Sequence, residues 1–505
     1  MQGHGKKIAI NSIAGIAYKI IILLMGFISR KLFIMYMGKE LLGLNSLFTD
    51  LLSFLNLADL GIGVSVQFRL YKPIAEKNEN KIKSIVQVAK RTFEAIGIII
   101  TFAGFILAFF LDYFIADNPY SGNFLKVVFF MNVLSISFTY FVAHKKIFLQ
   151  AKEEIYIINI IDTLSQIVGT ILKIFVVVIL KNYYFYVAIS IICVIASNIC
   201  IEYICKKRYP YLDEKILIDQ QEKKELFRGL KDVIPLKIGT YLYTSTDNVV
   251  ISSFLGLADV AIYSNYLLIT NAVMQFFYMI AEAFKVSVGN IFYEKKQSHE
   301  VQEYFNCYML LQFFLSSFAM VSLWCLSTPF VTMFFGEEYK MSSLIVYVLI
   351  IDMFVHSMYQ PLSMMFGALG KFKEDKNITL GIDVINIIVS IILVRKIGLL
   401  GPILGTLISN LLTWYFRCYQ IVYKVLKMDV LKFLERIGCY AVLVIVEVFI
   451  AANLCNAIVV DNKLVNFGFR IVISLVVPNI INILCWYRTR EFMFLWKRVQ
   501  EMVHI

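Results

Sequence analysis

Long apolar runs constrain this chain more than any motif in it. Residues 98–110 and 440–450 are nearly free of polar side chains, the second being broken only by Glu447. A helix needs about 20 mostly apolar residues to cross ~30 Å of hydrocarbon. In lipid every backbone N–H and C=O must be satisfied within the segment, so such runs become helices. The period-two alternation of a membrane barrel is not present. Composition agrees: 59% of the residues are apolar and 17% charged, against about 45–50% and about 25% in an average soluble domain. The first apolar stretch, residues 8–37, contains Lys19 and Arg30. It is too long and too charged for a cleaved signal and reads as a retained span.

The sequence predicts an all-α polytopic membrane protein with 14 spans, at residues 8–37, 41–69, 92–115, 124–144, 155–180, 183–205, 232–255, 260–290, 304–334, 342–369, 377–394, 398–416, 437–458 and 467–487. No connector is long enough for a catalytic domain. Of the 48 Lys and Arg residues, 33 fall in alternate connectors and the termini, and 8 in the other set. The positive-inside rule then puts both termini in the cytoplasm, which only an even number of spans allows. In a bacterium this is the cytoplasmic membrane. The net charge of +12 follows from this sidedness, so no nucleic-acid partner is implied.

Two weak echoes divide the chain. Residues 152–172 match 373–393 at an offset of 221, pairing Asp162 with Asp383. Gly38 and Ser46 match Gly256 and Ser264 at an offset of 218. Both lay spans 1–6 over spans 7–12, in parallel orientation because six is even. That is the parallel-repeat plan of some transporters, with a site between halves near midplane. Chance matching in Ile-rich sequence is the alternative. The expected organisation is a six-helix bundle over 1–205, a cytoplasmic linker over 206–231 and a second bundle over 232–425. Helices 13 and 14 follow within 426–487, then an amphipathic, basic tail over 488–505 that lies on the cytoplasmic membrane surface.

The chain lacks a P-loop, a G-x-S-x-G elbow and an H-E-x-x-H motif. It therefore reads as a non-enzyme without a cofactor, driven by an ion gradient or by the substrate's own. The nine cysteines are scattered without a C-x-x-C pair, and no His cluster has metal spacing. They read as small core residues.

Intramembrane charges are costly, at least ~2.5–3.5 kcal/mol each at a helix centre. Lys19 and Arg30 lie eleven residues apart, three turns, on one face of the first span. They read either as a cationic wall for an anionic substrate or as snorkelling anchors. Asn56 and Asp59 are neighbours on the second span, where Asp59 could also pair structurally with Lys19. Lys237, Tyr241, Thr244 and Asn248 form one polar stripe on the seventh, with Asp247 beside it. Asp352, His356, Tyr359 and Ser363 form another on the tenth. Asp352 and His356 are spaced to share a proton, and interhelix hydrogen bonding is the commoner use of such groups. Glu282 and Lys285, three apart, are placed to satisfy each other.

The segment Arg30-Lys31-Leu32-Phe33 through Tyr36-Met37-Gly38-Lys39-Glu40-Leu41-Leu42-Gly43-Leu44 carries a family resemblance, as do Leu57–Gly63 and Leu70–Pro73. So do Thr246–Ser252, Leu255-Gly256 and Tyr263–Tyr266. Their order and spacing resemble the bacterial polysaccharide flippases, the O-antigen and capsule repeat-unit exporters of the multidrug/oligosaccharidyl-lipid/polysaccharide (MOP) superfamily. The resemblance implies two six-helix bundles in a MATE-like V that opens alternately to each side. It implies an oligosaccharide on undecaprenyl diphosphate as cargo and a cationic cavity, for which Lys19, Arg30 and Lys237 are the candidates. The other polar candidates, for the cavity or for coupling, are Asn56, Asp59, Thr244, Asp247, Asn248, Asp352 and His356. The implied partners are the bilayer and the polymerase and glycosyltransferases of the same pathway, with a monomer as the default state. A cation-coupled drug exporter, a lipid II flippase and a non-transporting scaffold are the alternatives.

Overall fold

A computed structural model describes residues 22–55, 62–214, 245–295, 298–369, 372–458 and 460–503. These are almost wholly helical, and no β-strand occurs among the described residues. Nine helical segments among them are long and apolar enough to cross a membrane. Their surfaces fit that solvent. Phe449, Leu464 and Leu484 are each at least 67% exposed, as expected of side chains that face lipid rather than water.

The first unit, Met1–Ala261, contains nine described helical segments: α1 (22–37), α2 (Lys39–Leu55), α3 (Ile62–Ala75), α4 (Glu79–Ala108), α5 (Gly122–Phe141), α6 (Ala143–Ala151), α7 (Ile155–Phe175), α8 (Tyr183–Arg208) and α9 (245–254). The second, Ile262–Ile505, holds most of α10 (Leu257–Lys295), then α11 (Ser298–Phe334), α12 (Ser343–Met358), α13 (Gln360–Ala368), α14 (Phe372–Ile397), α15 (Leu400–Cys418), α16 (Val430–Ala457), α17 (Lys463–Trp486) and α18 (Arg490–Val503). The units divide inside α10. The linker expected at 206–231 is described only to residue 214.

Local chemistry fixes the helix starts. The side chains of Asn78, Ser121, Asn182, Asp429 and Asn462 each accept a hydrogen bond from a first-turn N–H of α4, α5, α8, α16 and α17. These caps satisfy donors that the helix itself leaves free. Gly38 ends α1 at φ +86° and Gly256 ends α9 at φ +97°. Both sit in the left-handed region that glycine adopts at low cost. The two glycines matched at offset 218 thus perform the same turn.

Two connectors are shorter than the charge pattern suggests. Residues 145–152 form most of α6, whose His144, Lys145, Phe148 and Leu149 are buried. Lys145 is accommodated because its ammonium meets Glu202 of α8 at 2.5 Å. Between α3 and α4 only residues 76–78 break the helix. Both segments are basic, and a charge count does not separate a helical turn at the membrane edge from a loop.

Within the second unit α14 and α15 form a tight hairpin. A Cβ on Gly401 or Gly405 would overlap the Val394 backbone or the Ser390 hydroxyl, so these two small residues, four apart, set the approach. The last two spans dock on α11. Phe313 stacks on Tyr440 of α16 at 4.2 Å, and Asn482 of α17 donates to Ser317 at 2.7 Å. Of the tail, α18 folds back so that Glu491 bridges Arg436 at 2.7 Å.

Candidate functional site

Helix α7 has two unlike faces. Ile160, Leu164, Val168, Ile171 and Phe175 are exposed apolar residues spaced three or four apart. Asp162, Gln166, Thr170 and Lys173 repeat at the same spacing on the opposite face. The polar face lines a groove of about 460 Å³ shared with α5, α6 and α8. Lys146 of α6 bridges Asp162 at 2.9 Å, and the Ser197 hydroxyl of α8 donates to the same carboxylate at 2.8 Å. Ser165 donates to the Cys193 carbonyl at 3.0 Å, fixing α7 against α8.

At the far end of the stripe the Lys173 ammonium lies 5.0 Å from the centre of the Tyr186 ring, a cation–π contact. Tyr186 also meets the Phe33 ring edge-on at 5.0 Å and lies within electrostatic reach of Arg30. The half-buried Arg30 and Lys173 therefore both act electrostatically on Tyr186, and Lys173 is not among the candidates read from the sequence. Its signal is nevertheless written there: the spacings of four, four and three along α7 keep one helical face, as the four, three and four of the other polar stripes do. In the sequence alone Asp162 serves only to align the repeat, which hides the stripe it begins.

Asn248 is buried and donates from Nδ2 to Asp50 Oδ2 of α2 at 2.6 Å. Asp247, half-buried beside it, acts electrostatically on the same carboxylate. In the second unit Asp352 accepts from Asn410 of α15 at 2.6 Å. His356 shares a 2.9 Å hydrogen bond with the Tyr278 hydroxyl and stacks on Tyr359. Arg417 bridges Asp375 at 2.8 Å, donates to Thr379 and lies over the Tyr359 ring. Glu282 and Lys285 pair at 3.1 Å, as their spacing predicts. Lys19, Asn56, Asp59, Lys237 and Thr244 lie outside the described residues.

The segment that builds the first unit matches a known family. The model described as "Polysaccharide biosynthesis protein" aligns with residues 8–284, more than half of the chain. The chain belongs to the polysaccharide biosynthesis protein family. A second family model, MatE, aligns with residues 237–392. Among solved structures, the lipid II flippase MurJ in an inward closed conformation superposes with a TM-score of 0.73 at 16% identity, covering 94% of this chain and 99% of that one. An inward-facing multidrug resistance MATE family transporter of the MOP superfamily gives 0.66 at 16% identity, over 80% and 95%. A point mutant of the MATE transporter VcmN of Vibrio cholerae gives 0.55 at 14% identity, over 80% and 94%. No curated protein matches the chain in sequence. By family this multi-pass membrane protein is a polysaccharide biosynthesis protein, and its fold is the one seen in the lipid II flippase MurJ and in MATE transporters.

Proposed function

We propose that this protein is a flippase for undecaprenyl-diphosphate-linked oligosaccharide repeat units. It moves them from the inner to the outer leaflet of the bacterial cytoplasmic membrane, for surface polysaccharide synthesis. The observation that carries this reading is the family match over residues 8–284, which spans the polar groove and the basic residues of the first unit.

The chemistry is consistent with that cargo. A diphosphate inside a membrane requires positive partners held by charge-assisted hydrogen bonds. Arg30, with Lys19 and Lys237, supplies them in a cationic cavity that opens alternately to each side. The lipid tail stays in hydrocarbon while the headgroup crosses. Both termini and residues 206–231 face the cytoplasm in this reading, and Asp352 and His356 are the candidates for ion coupling.

Reconstitution tests it. Proteoliposomes containing the purified full chain are expected to move a fluorescent undecaprenyl-diphosphate oligosaccharide across the bilayer, and Arg30→Gln with Lys19→Gln to stop that movement at normal protein levels. Unchanged movement by the double variant would sink the cationic cavity. The MatE match over 237–392 supports a second reading, a cation-coupled drug exporter. The basic first span argues against it, because cationic drugs need acidic partners. Drug resistance conferred by the expressed protein, without lipid-linked sugar movement, would favour it.

A further inference from the structure

The groove of the first unit is built on one side of a membrane-spanning helix, and its lining is unlike a packing defect. Asp162 and Lys173 lie eleven positions apart on α7, about 16 Å at ~1.5 Å per residue. At one end the Lys146–Asp162 pair, joined by the Ser197 hydroxyl, offers a carboxylate and an ammonium side by side. Between the ends lie the Gln166 amide and the hydroxyls of Ser165 and Thr170, which donate to the Cys193 and Gln166 carbonyls and so present acceptor oxygens. At the other end Lys173 touches an aromatic ring, and among the described residues it has no carboxylate partner. Such a row of polar groups is costly against lipid. Acceptor oxygens and an amide between an ion pair at one end and an ammonium over a ring at the other are what sugar hydroxyls and an anionic group can satisfy together.

We propose that this groove is the subsite for the oligosaccharide headgroup, with an anionic group of the cargo on Lys173 and sugar hydroxyls along Gln166 toward the Lys146–Asp162 pair. The assignment rests on the flippase reading and adds to it a second set of contacts. Its anion is either the carrier diphosphate or a sugar carboxylate, which share their recognition chemistry. The groove volume of about 460 Å³ is that of a small-ligand site, so it takes part of a repeat unit rather than a polymer.

Cys193 of α8 lines the groove and serves as a reporter. Full-length protein is reconstituted with two fluorescent probes, an undecaprenyl-diphosphate oligosaccharide of neutral sugars and the same chain carrying one uronate. Gln166→Leu and Lys173→Met should slow movement by about tenfold or more, the scale set by losing a polar contact to a charged or hydroxylated ligand. Lys173→Arg should keep it. Loss of both probes in Lys173→Met assigns the anion to the diphosphate; loss of the uronate probe alone assigns it to the sugar. Either probe in excess should protect Cys193 from a small thiol reagent, read by peptide mass mapping. Should Lys173→Met fail to fold, Gln166→Leu and the Cys193 protection decide. If the wild-type protein moves both probes, wild-type rates in the variants together with an unprotected Cys193 overturn the subsite. If the wild-type protein moves neither probe, the flippase reading itself falls.

Discussion

Asn248 and Asp50 are 198 positions apart, yet the Asn248 amide donates to the Asp50 carboxylate at 2.6 Å inside the first unit. The bond ties α9 to α2 within that unit. Asn248→Ala removes the donor and leaves a buried acceptor. It should lower thermal stability in detergent by about 1–3 kcal/mol, read by fluorescence-detected size exclusion after heating. Asp50→Asn keeps an acceptor oxygen and should stay closer to wild type.

The approach of α2 to the start of α10 depends on one missing side chain. A Cβ at Gly43 would overlap the Leu257 carbonyl, and backbone cannot rotate away as a side-chain tip can. Gly43→Ala should cost about 1–3 kcal/mol and reduce the folded yield. Gly26 has nothing within 4 Å, so Gly26→Ala on α1 serves as the control and should be neutral or slightly stabilising. Equal yields from the two variants would refute the contact.

Arg417 and Asp375 form a buried pair in the second unit, with side chains 8% and 15% exposed. Removing one partner strands the other, so Arg417→Met should destabilise by about 3–5 kcal/mol. Arg417→Met with Asp375→Leu should recover part of that loss, because the stranded charge is gone. A double variant no more stable than the single one, by thermal unfolding, would show that Arg417 acts through Thr379 or Tyr359 instead.

The sidedness inferred from charge makes a direct prediction. An alkaline phosphatase fusion after Asn462, in the turn before α17, should be active outside. A fluorescent-protein fusion after Lys427, before α16, should fluoresce inside. The reverse pattern would invert the assignment of both termini.

The membrane class, the positions of most spans and the match of Gly38 with Gly256 were legible in the sequence; that both glycines turn the chain at positive φ was seen only in the structure. The first two depend on local physics: hydrocarbon thickness and backbone self-satisfaction. The pairing of Glu282 with Lys285 was legible for the same reason, being three residues apart on one helix. Asp50 meeting Asn248, and Lys146 meeting Asp162, were not. Helical periodicity assigns each residue to a face and cannot say which distant face is opposite. The groove along α7 shows where that limit falls. Its polar stripe is written in the spacing of residues 162–173. Only the packing of α5, α6 and α8 around it decided that the stripe would line a cavity, with an ion pair at one end and the Lys173 ammonium over an aromatic ring at the other.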